Sequence, residues 1–391
     1  MRNQCKYVWN NVHWGNSFFL MATLVGTVIG VPWFIKAHGA EISISHWWVH
    51  LAVFVVLFIA SGMGVTLGYH RLFAHRSFKA KWPVKFITLL GGAAAMQDSA
   101  LRWGADHRRH HKHVDHEGDP YNFTEGFWHA HIGWIMFKPK ADPINDNVKD
   151  LESDPLVMWQ DRWWIELGLL VGFGIPTLIG CLLDGPIGAL CGLLVGGMAR
   201  MVACHHCTFF INSLCHYLGT QPYSSTNTAK DSWFMAIFTF GEGYHNFHHQ
   251  FQHDYRNGVK WWQIDPTKWM TWSLSKIGLV NDLRRVPNEK IMLAEIGEKN
   301  RLLESRLSVC SQPVCEKAQA LFAEAEQKLT AAAAAWERAK NEYSKAAQKK
   351  LELTKEQLAE LRVQFETAVA ELREAMKQWH AAHQQLAVQL A

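Results

Sequence analysis

Nine histidines stand in four short clusters whose residue types and spacing suit metal binding. The clusters read HRLFAH, HRRHH, NSLCH and HNFHH, and they contain His70, His75, His107, His110, His111, His216, His245, His248 and His249. With 22 histidines among 391 residues, roughly 0.07 copies of H-x-x-H-H are expected by chance, yet the chain has two. Neutral imidazole is a ligand for iron, copper, nickel or zinc near neutral pH. Because nine such ligands exceed what one metal ion holds, the sequence predicts a dinuclear centre.

The spacing within the clusters predicts how helices present these side chains. Residues three and four apart lie side by side on one helix face, so the histidines of each H-x-x-H-H pattern are expected to converge. Asn212 and His216 are also four apart. His70 and His75 are five apart, which is about 140° around a regular helix. We therefore expect the helix to end or distort between these two histidines, near residues 72–74.

Long apolar runs precede residue 285 and predict an integral membrane protein. Each reaches the ~20 residues that a helix needs to cross a bilayer, and the runs are residues 17–35, 47–69, 165–183 and 187–210. The run 84–96 is too short to span and is expected to form a buried or interfacial helix. The prediction is an all-α fold with four transmembrane helices and a cytoplasmic helical cap that holds the two metals.

Basic residues are concentrated between the second and third apolar runs. Segment 36–46 has one lysine and the turn at 184–186 has none, whereas the segment between those runs contains Arg71, Arg76, Lys79, Lys81, Arg102, Arg108, Arg109, Lys112, Lys138 and Lys140. Because basic loops stay on the cytoplasmic side, both termini and all four histidine clusters are expected there. The net charge of +4 is modest, and nothing in the chain indicates a nucleic-acid partner.

Longer stretches around the clusters carry a family resemblance. They read GVTLGYHRLFAHRSFKA, HIGW and GEGYHNFHH, with Gln97, Trp103 and Asp106 between them. In this order they resemble the membrane acyl-CoA delta-9 fatty acid desaturases of the stearoyl-CoA desaturase type, in their bacterial form. The resemblance covers residues 7 to about 282. It implies a multi-pass enzyme of the cell inner membrane, in which a non-haem di-iron centre activates O2 and forms a cis double bond.

The residue chemistry agrees with that resemblance. Removing hydrogen from an unactivated methylene needs an oxidant that no side chain supplies. Asn212 is a weak ligand and is expected to bind a metal through a water. Glu242, three residues before His245, is placed either to accept a hydrogen bond from a ligand imidazole or to be an ordinary helix-terminal carboxylate. A membrane di-iron alkane or lipid hydroxylase is the alternative, because both reactions begin with the same hydrogen abstraction.

The resemblance also assigns positions along the acyl chain. Gln97, Trp103 and Thr208 match family positions that shape the bend where the double bond forms. Gly62 and Phe58 lie eight and twelve residues before the first histidine, on roughly its helix face. This order predicts a tunnel for the acyl chain that is open at Gly62 and is closed by the side chain of Phe58. Glycine equally permits close helix packing, which is the competing interpretation.

The chain matches the family less well at the positions expected to contact the headgroup of the substrate. Asp106, Lys138 and Lys140 stand where headgroup contacts are expected, but Ala105 replaces the arginine that the family has before Asp106. The resemblance implies a long-chain acyl-CoA substrate, with acyl carrier protein or an intact glycerolipid still open. Each turnover needs O2 and two electrons, and the sequence has neither a His-Pro-Gly-Gly haem motif nor a G-x-G-x-x-G motif. A separate reductase or ferredoxin-type carrier is therefore expected at the cytoplasmic face.

A polar, alanine-rich extension follows the apolar part. Two domains are predicted, a membrane desaturase domain at residues 1–284 and a helical extension at residues 285–391. Residues 316–391 contain neither Gly nor Pro, and apolar residues recur there in alternating steps of three and four, which is typical of a coiled coil. One continuous helix would be ~110 Å long, so a hairpin is the alternative. We expect this extension to serve self-association or partner docking.

Overall fold

The computed structural model describes residues 11–137, 147–307, 314–348 and 354–389. The chain forms two compact units, residues 1–285 and residues 286–391. The first unit carries the histidine clusters and the apolar runs. The second unit consists of the polar extension. Both are mainly helical, as the fold-class prediction requires.

Three helical stretches in the described residues are long and apolar enough to cross a membrane. They are a first membrane helix, Trp14–Glu41, a second membrane helix, Ile44–Ala74, and a long helical segment, Pro155–Tyr217. The long segment contains both the third and the fourth predicted spans. Its helical geometry breaks at Asp184 and Gly185, and Gly185 has φ of +60°. That conformation favours glycine, and it falls in the turn expected between those spans.

The outer faces of these helices are apolar. Phe18, Val28 and Leu182 expose between 63% and 77% of their surface. Large apolar side chains at such exposure, repeated along long helices, are typical of helices that face lipid rather than water. The exposure pattern therefore agrees with the hydropathy of the sequence.

The end of the second membrane helix is wound more widely than an α-helix. Residues Ile44–Met63 are α-helical, and Gly64–Ala74 form a π-helix whose eleven residues are all buried. The backbone N–H of His75 donates to the carbonyl of His70 at 3.0 Å, five residues earlier. This i→i+5 geometry places residues five apart on one face. The expected distortion between the two histidines is thus a wider winding rather than a helix end.

Glycines let a neighbouring helix approach this wide segment. A Cβ atom on Gly64 would overlap the backbone of Gly91 and Gly92 in helix Trp82–Ala94. This helix corresponds to the short apolar run predicted as buried or interfacial, and it buries Val84 and Leu89. Close backbone contact between the two helices therefore depends on the absence of side chains at their crossing.

Shorter elements surround the histidine clusters and form the rest of the first unit. The helices are Ala100–His113, Phe123–Glu125, His129–Gly133, Trp134–Met136, Lys149–Glu152, Trp233–Phe238, His245–Gln250 and Pro266–Lys276. Two short strands, Lys79–Ala80 and Val280–Asn281, pair antiparallel with Lys79 opposite Asn281. This small ladder is a minor departure from the predicted all-α fold. It ties the segment after the second membrane helix to the end of the unit.

In its described residues, the second unit has three helices, Asn288–Leu307, Val314–Gln348 and Lys355–Gln389. Phe322 lies 5.9 Å from Trp379, and Tyr343 lies 5.8 Å from Phe365, measured between ring centroids. Residues later in helix Val314–Gln348 therefore contact residues earlier in helix Lys355–Gln389, which means that these two helices run antiparallel. The extension therefore takes the hairpin alternative instead of one continuous helix. The helix Asn288–Leu307 adds Ile296 and Leu303 to the same apolar core.

Candidate metal centre

Four elements of the first unit bring the nine histidines together. His70 and His75 come from the wide end of the second membrane helix, and His216 comes from the last turn of the long helical segment. Helix Ala100–His113 starts at Ser99, whose hydroxyl accepts from the backbone N–H of Arg102 at 3.3 Å. It supplies the three histidines of HRRHH, and helix His245–Gln250 supplies those of HNFHH.

The histidines form two groups in which all ligand nitrogens lie within 4.8 Å of one another. The first group is His70, His75, His107, His111 and His248, and the second is His110, His216, His245 and His249. Each H-x-x-H-H pattern therefore contributes to both groups, rather than converging on a single point. This division explains why the pattern occurs twice, since each of the two helices bridges the groups.

The distances between imidazoles suit ligands around a metal ion. Six pairs of Nε2 atoms are separated by 2.8 to 3.3 Å. Two nitrogens bound at right angles to one metal at about 2.1 Å would be about 3.0 Å apart. Lone pairs that face each other at this distance repel unless a proton or a metal ion lies between them. The donor set thus fits one metal in each group.

Burial keeps these imidazoles available as neutral ligands. It lowers the pKa well below the ordinary value of 6.5, with neighbouring histidines adding to the effect, for His75, His107, His111, His245, His248 and His249. A protonated imidazole cannot bind a metal, so a lowered pKa favours ligation at neutral pH.

Carboxylates fix the orientation of two ligands. The Nδ1 atom of His70 lies 2.8 Å from Oε2 of Glu242, and Nδ1 of His110 lies 2.8 Å from Oδ1 of Asp119. With Nδ1–H donating outward, Nε2 carries the lone pair that faces the metal. The structure places Glu242 where the sequence suggested an acceptor. Asp119 was missed.

Two further ligands have hydroxyl partners that the sequence did not reveal. Nδ1 of His216 lies 2.7 Å from Oγ1 of Thr228, which donates to Asp115 at 2.8 Å. Nδ1 of His107 lies 3.3 Å from the hydroxyl of Tyr121. Asp115, Asp119 and Tyr121 all fall in the polar run just after HRRHH, and that proximity was the available signal.

Glu242 is itself held in a buried charge network. It accepts from Nε of Arg71 at 3.0 Å and from Nδ2 of Asn257 at 2.6 Å. The Arg71 guanidinium also contacts Asp265, which is fully buried. Burial by itself would raise the pKa of Glu242, but Arg71 and His70 together lower it below the ordinary value. Glu242 is therefore ionised, and its charge is shared between the arginine and the ligand imidazole.

A cavity of about 1420 Å³ adjoins the histidines and is bordered by most of the predicted substrate residues. Gln97 Nε2 donates to Thr208 Oγ1 at 2.9 Å, and Trp103 stacks on His107 with ring centroids 4.7 Å apart. Asn212 also borders this cavity, on the same helical segment as His216. It belongs to neither histidine group. A residue at that border could hold a water between itself and the second group.

The region predicted as a tunnel near Gly62 lies at the border of the cavity. Gly62 and Phe58 both border the cavity, but a Cβ on Gly62 would overlap the ring of Phe240. Phe240 lies 5.8 Å from Phe58 between ring centroids and adopts a φ of +55°, which is unusual for an aromatic residue. Gly62 therefore borders the cavity and also permits the close approach of Phe240, and the sequence missed Phe240 because it is remote along the chain.

Charged side chains of both signs border the cavity. Asp106 borders it and pairs with Arg109 at 3.3 Å. Burial raises the pKa of Asp106 to about 6, although Arg109 opposes this shift. Arg102 and Lys112 also border the cavity, and the sequence singled out none of these three basic residues as headgroup contacts. The predicted contacts Lys138 and Lys140 lie outside the described residues.

Comparisons with known proteins place these features in a family. A model of the family described as fatty acid desaturase matches residues 45–276. The chain is 41% identical over 254 residues to a probable acyl-CoA desaturase of Schizosaccharomyces pombe, covering 64% of this chain and 53% of that protein. It is 41% identical over 262 residues to acyl-CoA desaturase 1 of Saccharomyces cerevisiae, covering 66% and 51%.

A cyanobacterial relative is covered more completely. The sn-1 stearoyl-lipid 9-desaturase of Anabaena variabilis is 32% identical over 277 residues, which is 70% of this chain and 94% of that protein. By contrast, the chain spans about half the length of the two yeast proteins. The matched region contains all four histidine clusters. The chain therefore belongs to the fatty acid desaturase family.

Proposed function

We propose that this protein is a membrane-bound desaturase that uses O2 to form a cis double bond, at delta-9, in a saturated long-chain acyl-CoA. The observation that supports this most directly is the pair of histidine groups beside a deep cavity. Two metals held there would lie next to an extended apolar substrate. The reaction takes one O2, two electrons and two protons, removes two hydrogens from adjacent carbons and releases two waters.

Iron is the metal that we assign to both groups. Two irons, when bound, would supply the oxidising power that an unactivated methylene requires. The protein's own residues bring nine imidazoles together, and Asn212 would hold a water. Glu242 and Asp119 fix the rings of His70 and His110 by accepting hydrogen bonds from their Nδ1–H groups. Such outer contacts support ligand orientation and basicity.

The cavity residues would position the acyl chain. The hydrogen bond from Gln97 to Thr208 crosses the cavity wall, and Gln97 is flanked by Met96 and Asp98, which have φ of +53° and +71°. Such backbone conformations are costly and persist where packing demands them. A wall held in this way, with Trp103 against His107, would bend the chain next to the metals and exclude water.

Three cations among the charged residues that border the cavity support a phosphate-bearing carrier. Arg102, Arg109 and Lys112 can contact phosphates through charge-assisted hydrogen bonds. The two yeast relatives are named acyl-CoA desaturases, and both share 41% identity with this chain. The cyanobacterial relative is named for a lipid-bound stearoyl chain. We favour acyl-CoA because these three cations can pair with its phosphates.

We further propose four membrane crossings in the cell inner membrane, with both termini cytoplasmic. The long helical segment has 63 residues, which corresponds to ~95 Å as a helix and exceeds one ~30 Å bilayer core. Two crossings that turn at the Asp184–Gly185 break account for its length. An external reductase or ferredoxin-type protein would deliver electrons at the cytoplasmic face, and the unit of residues 286–391 would serve self-association.

Product analysis tests the reaction. Full-length protein in lipid nanodiscs, supplied with a saturated acyl-CoA, O2 and a reducing system, should yield the monounsaturated chain by mass spectrometry. Metal analysis should give about two irons per chain. His245→Ala should abolish turnover and lower iron content, whereas His116→Ala, an exposed histidine outside both groups, should not. Hydroxylated chains without olefin would instead establish the hydroxylase alternative.

A further inference from the structure

A short turn at the end of a helix carries Gln97 to the wall of the cavity. Helix Trp82–Ala94 ends just before it, and the backbone of Met96 and Asp98 adopts φ of +53° and +71°. These angles are uncommon for residues other than glycine, so surrounding contacts must maintain them. We call residues 94–98 the Gln97 turn. Its last three residues border the cavity.

Two carbonyls of the Gln97 turn accept hydrogen bonds from side chains of another helix. The last carbonyls of an α-helix lack partners within the helix, and inside a membrane water cannot replace those partners. The guanidinium of Arg200 donates to the carbonyl of Ala94 at 2.8 Å, and Nε2 of His205 lies 2.7 Å from the carbonyl oxygen of Ala95. Because a carbonyl only accepts, His205 is the donor in the second contact. Both side chains belong to helix Arg200–Tyr217.

Arg200 is fully buried and joins three helical segments. It also donates to the hydroxyl of Ser61 in the second membrane helix at 3.2 Å and to the carbonyl of Gly172 at 2.8 Å. A Cβ on Gly172 would lie 2.9 Å from the carbonyl oxygen of Ala94, so this glycine permits the close approach. Among the described residues, the acceptors of Arg200 are carbonyls and a hydroxyl, and no carboxylate pairs with it. A charged side chain is costly inside a predicted span, which points to a specific role.

The helix that holds the Gln97 turn also carries a metal ligand. Thr208 accepts from Gln97 at 2.9 Å and lies eight residues before His216, which is ~12 Å along the helix axis. From another element, the hydroxyl of Tyr69 donates to the carbonyl of Asp98 at 3.3 Å, and Tyr69 immediately precedes a ligand of the first histidine group. The position of Gln97 relative to both histidine groups therefore depends on contacts from two helices.

We propose that Arg200 and His205 are positioning residues that determine where along the acyl chain the double bond forms. This inference rests on the proposed function, because it concerns an acyl chain in the cavity. Arg200 and His205 hold the carbonyls three and two residues before Gln97. Without one of these hydrogen bonds, the turn can relax towards a less costly backbone conformation and carry Gln97 with it. Different carbons of the chain would then lie beside the metals, and small changes in positioning decide which atoms react.

The double-bond position in the products of His205 variants tests the first residue. Full-length protein in lipid nanodiscs receives a saturated acyl-CoA, O2 and a reducing system, and mass spectrometry after ozonolysis locates the double bond. His205→Phe keeps an aromatic ring but cannot donate to Ala95, whereas His205→Gln retains an N–H donor. The share of olefin outside the main position should rise about threefold in His205→Phe, as expected for one lost hydrogen bond, and should return to the native share in His205→Gln.

The matched control is His50→Phe, the same substitution at a buried histidine of the second membrane helix. His50 lies twenty residues before His70 and packs against Trp47, with ring centroids 6.2 Å apart. This variant should keep the native double-bond position, even if less of the protein folds.

Arg200→Met tests the second residue in the same assay. Among the described residues, Arg200 does not border the cavity, so it acts only through the segments that it holds. Its removal leaves no carboxylate unpaired, which favours folding of the variant. Because a hydrogen bond to a charged group is lost, the share of olefin outside the main position should rise about tenfold.

The readout separates positioning from folding, since misfolded protein makes less product but no new isomer. An unchanged double-bond position in His205→Phe or in Arg200→Met would overturn the role of that residue. A native protein that makes no olefin would instead refute the proposed function, and this inference with it.

Discussion

Replacing Glu242 by glutamine should weaken iron binding selectively at the group that contains His70. In the native structure the Glu242 carboxylate accepts from Nδ1 of His70 at 2.8 Å, from Arg71 at 3.0 Å and from Asn257 at 2.6 Å. Glutamine keeps the shape and one acceptor oxygen but removes the charge. Its amide N–H groups would also face donors, so at least one of these contacts is lost.

The size of the effect follows from these contacts. Losing the carboxylate partner of a ligand histidine typically costs 10–100-fold in metal affinity, which is about 1.4 to 2.8 kcal/mol. Breaking a buried ion pair destabilises a fold by about 3–5 kcal/mol, but Arg71 retains Asp265 in this variant. The loss of folding stability should therefore be smaller than that range. The second group, with His110 on Asp119, should keep its affinity.

Competition with a chelator measures this change. Purified variants are titrated with a graded iron chelator, and the iron that remains per chain is recorded. Glu242→Gln should give two steps, with one shifted by one to two decades. Asp254→Asn is the control, because Asp254 is a buried carboxylate paired with Arg256 at 2.7 Å. A Glu242→Gln titration that stays within about twofold of the native curve would refute the role assigned to Glu242.

Four further outcomes are expected. His75→Ala and His249→Ala lie in different groups, so each should leave one iron per chain by metal analysis, and complete loss in both would contradict two separable sites. Phe240→Ala opens the space beside Gly62 and should lengthen the product chains seen by mass spectrometry, whereas an unchanged profile would leave Phe240 a packing residue. Burial lowers the pKa of His248 below its ordinary value of 6.5. As pH falls through about 6.5, the unfolded chain therefore binds a proton at this histidine that the folded protein does not bind. The metal-free protein should therefore melt at lower temperature as pH falls from about 7.5 to about 5.5, and a flat profile would contradict this. Removing residues 286–391 should leave the iron content unchanged, and a folded but iron-free protein would contradict this.

The sequence predicted which nine histidines lie together, but it did not predict their division into two groups. Spacing of three and four places histidines on one helix face, and that face was expected to point at one place. In the structure His110 and His111 are adjacent in sequence but belong to different groups. The histidines of one helix face can therefore belong to two groups, and local spacing does not report which opposing helix completes each group.

The outer partners of the ligands show where local patterns lose information. Glu242 was found because it stands three residues before His245, although its actual partner is His70. Thr228 contacts His216 from a loop with no helical or strand pattern. Phe240 reaches Gly62 from 178 residues away along the chain. Contacts between segments this distant depend on tertiary packing, which residue spacing does not encode.

The membrane helices were predicted from the length of the apolar runs. The distortion at HRLFAH was predicted because His70 and His75 would lie about 140° apart around a regular helix and could not face one site. The sequence did not predict that the distortion is a π-helix. The π-helix is recognised by the hydrogen bond from the N–H of His75 to the carbonyl of His70, and residue spacing does not reveal that bond. The hairpin of the extension was left open for a related reason. Residues 316–391 contain no Gly or Pro that would mark a turn.

The wide winding at Gly64–Ala74 constrains how this chain tolerates insertions and deletions. Deleting one residue between His70 and His75 would still leave two histidines on one face of a regular helix. Every residue before the deletion would, however, rotate by about 100° and move by about 1.5 Å relative to the metals. Thr66 would then lose its hydrogen bond with Thr267, and Gly62 would lose its packing contact with Phe240. The number of residues between the two histidines is therefore as constrained as their identity, and length variation among relatives should fall outside residues 62–75.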